Sequence, residues 1–177
     1  VAYSNIKVGP IGAPVIESVT VPTNGTYSVG DLLDFSVVFN ESVTVYNTAT
    51  TKLLVDLSNE KQIEVPYLNG SSSDTLNFQY SVQQGDIANG ITITELITTS
   101  LILDVSAKEA DLTLGNLPDT SGIIIDGSVP EITSVTVPTA TTYITGDTLT
   151  VKVAFDEVVT VTGSPELLLT IGSETVV

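Results

Sequence analysis

The stretch PVIESVTVPTNGTYSVGD, beginning at Pro14, returns as PEITSVTVPTATTYITGD, beginning at Pro130. Aligned at a constant offset of 116, residues 14–45 and 130–161 agree at 19 of 32 positions. The identities include Pro14/Pro130, Val19/Val135, Pro22/Pro138, Tyr27/Tyr143, Gly30/Gly146, Asp31/Asp147, Phe39/Phe155, Glu41/Glu157 and Val45/Val161. The likeness resumes with a two-residue shift, LLVDLSNE from Leu53 answering to LLLTIGSE from Leu167. A period of this length is too long for a solenoid unit that only its neighbours stabilise. It suits a small domain that buries its own core. The repeat therefore predicts a tandem array. A complete domain occupies 14–128, the first part of another occupies 129–177, and 1–13 is a terminal strand or linker of a preceding repeat. Either the chain is a window from a longer array, or strands of a neighbouring molecule complete the second domain.

Between the repeated phrases the pattern is that of strands. LDFSVVF puts Leu33, Phe35, Val37 and Phe39 on one face and Asp34, Ser36 and Val38 on the other. TLNFQYSV does the same with Leu76, Phe78, Tyr80 and Val82. Alternation with a period of two marks half-buried antiparallel strands. KLLVDL, QIEVPYL, ITITELI, SLILDV, ADLTL and GIIIDG are further β-rich runs. They are separated by turn-forming stretches such as TNG, LNGSSSD, QQGD and NLPDTSG. Only LDVSAKEADL offers a helical turn. The expected fold is all-β: an Ig-like antiparallel β-sandwich with Greek-key connections, repeated in tandem.

Charge and composition narrow the function. Hydrophobic residues are 42% of the chain, enough for a core and unlike a disordered acidic tail. Twenty-one acids stand against five lysines, giving a net charge of -16 without a single arginine. Nucleic acid is excluded as a partner, since phosphate needs clustered Lys and Arg. An anionic membrane surface is disfavoured likewise, and no apolar run is long enough for membrane insertion. The absence of Cys and His removes the usual zinc ligands and the thiol and Ser–His nucleophiles. Hard cations such as Ca²⁺ are the small partners that suit carboxylates; the alternative is that the acids only keep a β-rich chain soluble.

The pattern P-x-I-x-S-V-T-V-P, T-Y-x-x-G-D-x-L and V-x-F-x-E-x-V-T-V, carried by Pro14–Val45 and Pro130–Val161, resembles the tandem Ig-like repeats of large bacterial and archaeal cell-surface proteins. DTLNFQYSVQQGD and GIIIDGSVP are supporting blocks. Such repeats build giant adhesins, extracellular filaments and surface-layer glycoproteins. The resemblance implies calcium near the interdomain linker, where Asp126 stands in DGSVP, with Glu41 and its counterparts Glu157 and Asp156 as companions. Solvated loop acids are the alternative for Glu41 and Glu157. The family's acidic loop would correspond to LDVSAKEADLTL, with Asp104 and Asp111, although Lys108–Glu109 replaces the usual Gly–Asn turn.

Asp31 and Asp147 follow a glycine before a strand and are expected to close turns through backbone N–H groups. Tyr27 and Tyr143 are expected at the core edge with bonded hydroxyls. Sequons at Asn24, Asn40 and Asn69, each in an expected turn, suit an exported glycoprotein. Together these features point to a non-catalytic structural building block outside the cell, at its surface, assembling with copies of itself head-to-tail or laterally. A passive adhesin stalk and a carbohydrate-binding module are the alternatives, though aromatics are only 6% and Trp is absent.

Overall fold

The alternation in LDFSVVF and TLNFQYSV becomes the centre of the molecule. A computed structural model describes residues 12–58, 61–171 and 174–176. Up to Ser128 it contains ten strands: β1 (Ile16–Thr20), β2 (Gly25–Ser28), β3 (Leu32–Val45), β4 (Lys52–Leu57), β5 (Gln62–Asn69), β6 (Ser73–Ser81), β7 (Ile87–Asn89), β8 (Ile91–Ile97), β9 (Ile102–Leu103) and β10 (Ile123–Asp126). Strands β3 and β6 pair antiparallel with Leu33 opposite Tyr80, Phe35 opposite Phe78 and Val37 opposite Leu76. That register stacks the two apolar faces on one side, so the alternation of each strand reinforces the other's.

The larger sheet runs β1-β3-β6-β5-β4-β8, with every neighbour antiparallel and β9 added to the far half of β3. A second sheet runs β2-β10-β7, in which β10 is parallel to β2 and antiparallel to β7. Strand β3 is long and irregular: its pairing with β6 slips between Val38 and Val43, and its last residues, Thr44 and Val45, pair with β9. A slip of this kind bends a strand and curls its sheet. The result is an all-β unit of curled, mainly antiparallel sheets, as in a β-sandwich.

One core fills the space between the sheets. Phe35, Phe39, Leu33 and Leu53 of one sheet are buried together with Ile123 and Ile125 of the other. Each such side chain contributes about 1.5–3 kcal/mol by leaving water. Phe78 meets Tyr67 edge-on, centroids 6.0 Å apart. The expected helical turn in LDVSAKEADL is absent. Those residues form a turn closed by Asp104 and bridged at Leu103 and Glu109, and the 3-10 turn Thr48–Thr50 is the helical element among the described residues.

From Val129 onward a second unit begins, with β11 (Ile132–Thr136), β12 (Lys152–Phe155), β13 (Leu169–Ile171) and β14 (Glu174–Val176). Strands β11 and β12 pair Ile132 with Phe155, Ser134 with Ala154, Val135 with Val153 and Thr136 with Lys152. Subtracting 116 from each number gives the β1–β3 pairing: Ile16 with Phe39, Ser18 with Val38, Val19 with Val37 and Thr20 with Ser36. Both pairings carry the irregularity at the same place.

The turns repeat too. Asp31 Oδ2 accepts the Ser28 N–H at 2.8 Å, and Asp147 Oδ2 accepts the Ile144 N–H at 2.8 Å. Gly30 and Gly146, at φ of 92° and 100°, occupy the left-handed region that glycine enters without a steric cost. The Tyr27 and Tyr143 hydroxyls donate to the carbonyls of Thr23 and Thr139 at 2.8 and 3.0 Å. Of the terminal stretch 1–13, residues 1–11 lie outside the described residues.

Candidate functional site

Glu41 was expected as a companion of the linker acid in holding calcium, with a solvated loop acid as the alternative. It lies inside β3, because the apolar series at odd positions resumes at Val43 and Val45 and carries the strand on. Glu41 thus occupies the inward phase of an otherwise apolar face, between Phe39 and Val43. Its Oε1 is buried and has no hydrogen-bond partner. A buried carboxylate oxygen without a donor costs free energy that a cation or water would recover.

The surroundings are polar turns. Asn40 Oδ1 accepts the Val15 N–H at 3.0 Å, and the Asn40 N–H returns a bond to the Val15 carbonyl. Asp111 joins this end of the unit through its N–H to the Pro14 carbonyl at 2.8 Å, beside a parallel bridge to Val15. Its Oδ1 accepts the Thr113 N–H at 2.9 Å, and the Thr113 hydroxyl and N–H hold its carboxyl below the usual value. Asp104, buried, folds the loop around itself, its Oδ1 accepting the N–H groups of Ser106 at 2.7 Å and Lys108 at 2.8 Å. Ala107, at a φ of 62°, supplies the left-handed residue of that turn. The Lys108 ammonium reaches the Gly12 carbonyl at 3.4 Å.

Asp126 belongs to the opposite end. It closes β10 across from Ser28 and Ile87, near the start of β3. From there to Glu41 is roughly 30 Å of extended strand. Within the first unit the linker acid and Glu41 therefore do not meet. Asp126 Oδ1 accepts the Ser128 hydroxyl at 2.5 Å and the Ser128 N–H at 3.2 Å, and these two donors, in that order, depress its carboxyl. In the second unit, Asp156 Oδ1 accepts the Glu131 N–H at 2.8 Å, taking the place of Asn40 in the first, while Glu157 is exposed. Among the described residues no three acids gather closely enough to form a metal-ligand cluster. The oxygens of Asp104, Asp111, Asp126 and Asp156 named above are engaged in turns, whereas Glu41 Oε1 is not.

Reading the sequence missed one constellation. Asp86 is fully buried, with Oδ1 2.5 Å from the Lys61 ammonium and Oδ2 accepting the Tyr80 hydroxyl at 2.8 Å and the Gln83 N–H at 2.7 Å. Burial pushes the Asp86 carboxyl up, but the bonds from Lys61, Gln83 and Tyr80 outweigh it and hold the carboxyl below its usual value. Tyr80 is pushed up to about 12, first by burial and then by its bond to Asp86 and that group's charge. The loop locks onto the linker: the Gly127 N–H donates to the Asp86 carbonyl at 2.7 Å. A Cβ at Gly127 would stand 2.5 Å from the carbonyl oxygens of Gln83 and Asp86, so only glycine fits. The cluster anchors the chain where it leaves the first unit.

The three sequon asparagines are exposed. Asn24 lies in the turn before β2, but Asn40 falls within β3 and Asn69 is the last residue of β5, whereas turns were expected for all three. Comparison with protein-family models, with curated proteins and with solved structures finds no match.

Proposed function

We propose that this chain is a non-catalytic building block of an extracellular, cell-surface array, a surface layer or filament made of tandem Ig-like units. The observation that carries this reading is the recurrence, 116 residues on, of one strand register with its irregularity and its Gly–Asp turn. Evolution of a single binding or catalytic site gives no reason to copy turns and register into a second unit. Building by repetition does. The exposed sequons at Asn24, Asn40 and Asn69 suit an exported glycoprotein.

Calcium is the finer part of the proposal. Glu41 Oε1 lacks a donor, and Asp111 lies at the same end of the unit. The remaining ligands of a six- to eight-oxygen shell would be carbonyls, waters and acids of an adjoining repeat. Asp126, at the other end, would serve the following repeat in the same way. Sedimentation of the chain in millimolar Ca²⁺ and then in EDTA tests this. Large species that form only with Ca²⁺, and that Glu41→Gln weakens, are expected. A monomer indifferent to Ca²⁺ would contradict the proposal.

A further inference from the structure

The first unit admits the chain at one end and releases it at the other. Pro14 and Val15 are tied to Asp111 and Asn40, beside the far half of β3, while Asp126 stands near the start of β3. Strand β1 runs antiparallel to β3, from Phe39 toward Ser36, and so heads for the exit end. Strand β10 heads the same way, parallel to β2. Tension between Pro14 and Ser128 therefore draws β1 and β10 in opposite directions along their partners. It loads each row of hydrogen bonds together rather than one bond at a time.

The exit is the short link in that path. Strand β10 has four residues, and its partners β2 and β7 both belong to the smaller sheet. Just past β10 the chain gains a second attachment. The Gly85 N–H donates to the Gly127 carbonyl at 2.8 Å, and the Gly127 N–H donates to the Asp86 carbonyl at 2.7 Å. From Asp86 the side chain leads out of the smaller sheet. Its carboxylate is bound by Lys61, between β4 and β5, and by Tyr80 of β6, the strand that lies between β3 and β5. Val82, next to β6, adds backbone bonds to Gly30 and Asp31 in the turn that follows β2.

We propose that the Asp86 cluster transfers tension from the linker into the larger sheet. Force arriving at Gly127 passes through its two bonds to the 85–86 turn, then through the Asp86 carboxylate to Lys61 and Tyr80. The sheet that carries most of the core thus resists before β10 can slide. Stability alone accounts for a buried carboxylate with its donors. It gives no reason to tie the first residue beyond β10 to the residue that bears that carboxylate.

This inference rests on the building-block reading only in supposing that a tandem array carries tension. Calcium and assembly do not enter its test, so a failed sedimentation experiment leaves it standing. The chain has no cysteine, so handles attach only where one is introduced. Pulling the full 177-residue chain in optical tweezers from Ala13→Cys and Val129→Cys loads the linker. Pulling from Ala13→Cys and Thr92→Cys enters through β8 instead; all three positions are exposed. Unfolding at fixed force reads the unfolding rate directly. With the linker loaded, Asp86→Asn and the milder Tyr80→Phe should each unfold the first unit at least about tenfold faster than the same chain without them. Through Thr92 the same substitutions should accelerate unfolding by less than about threefold. Equal acceleration along both paths would overturn the proposal, because the cluster would then only stabilise the unit. No acceleration with the linker loaded would overturn it too, because tension would bypass Asp86.

Discussion

Phe39, within β3, and Phe155, the last residue of β12, pair with equivalent isoleucines across the same irregular register and are followed by the same Glu two residues on. Yet Phe39 is 1% exposed and Phe155 is 38% exposed. The contrast separates two things that a sequence encodes over different distances. Strand pairing and turn closure recur in the second unit, so the repeated 32 residues suffice to specify them. Burial does not recur: Val153, Phe155 and Leu167 lie open where Val37, Phe39 and Leu53 are buried. Local chemistry writes the register; distant strands supply most of the stability.

The largest expected effect follows directly. Phe39→Ala should destabilise the first unit by about 3–5 kcal/mol, the usual cost of emptying a phenylalanine site in a core. Phe155→Ala should change the unfolding of the chain by less than about 1 kcal/mol, as for other incompletely buried positions. Urea titration followed by far-ultraviolet circular dichroism measures both. Equal losses would mean that the second unit has a core comparable to the first.

The Asp86 cluster lies in the first unit, on residues outside the two repeated phrases. Tyr80→Phe removes a donor to a buried carboxylate and should cost about 1.5–3 kcal/mol. The pH dependence has two limbs. The depressed Asp86 carboxyl contributes stability that is full above its ordinary value of 3.8 and is lost as pH falls through the lower folded value. The raised Tyr80 contributes stability that is full below its ordinary value of 10.0 and is lost as pH climbs toward about 12. In Tyr80→Phe the Tyr80 part of the alkaline loss should vanish, which a pH series of thermal melts would show.

Smaller still are the turns. Gly30→Ala places a Cβ at a φ of 92° and should cost about 1 kcal/mol. Gly146→Ala, at 100°, carries the same local strain but should leave the main unfolding transition unmoved. Differential denaturation of the two variants sets them apart.

Much of this was legible in the sequence. The alternation at Leu33–Phe39 and Leu76–Val82 marked the two central strands, and the Gly–Asp pairs marked the turns, because both signals are local. Glu41 shows where reading stopped short. Its odd-numbered place between Phe39 and Val43 was visible, but the alternation was read only over LDFSVVF, which stops at Phe39. The irregular pairing that lets β3 continue depends on Ser73 and β9, which are distant in sequence. Asp86 was hidden for a related reason. Gly85–Asp86 looks like Gly30–Asp31, a turn signal, and only the folded sheet brings Lys61 and Tyr80 to it. No expected metal ligand pointed to that cluster, and the separation of Asp126 from Glu41 within one unit follows from strand length rather than from any motif.

The two units share strand register and turn closure and differ in how deeply equivalent apolar residues are buried. Native-state hydrogen exchange reads this residue by residue. Amides of Phe35 and Val37 should exchange only through global unfolding of the first unit, while those of Val151 and Val153 should exchange orders of magnitude faster by local opening. Equal protection at the paired positions would contradict it, because the second unit would then possess a closed core of its own.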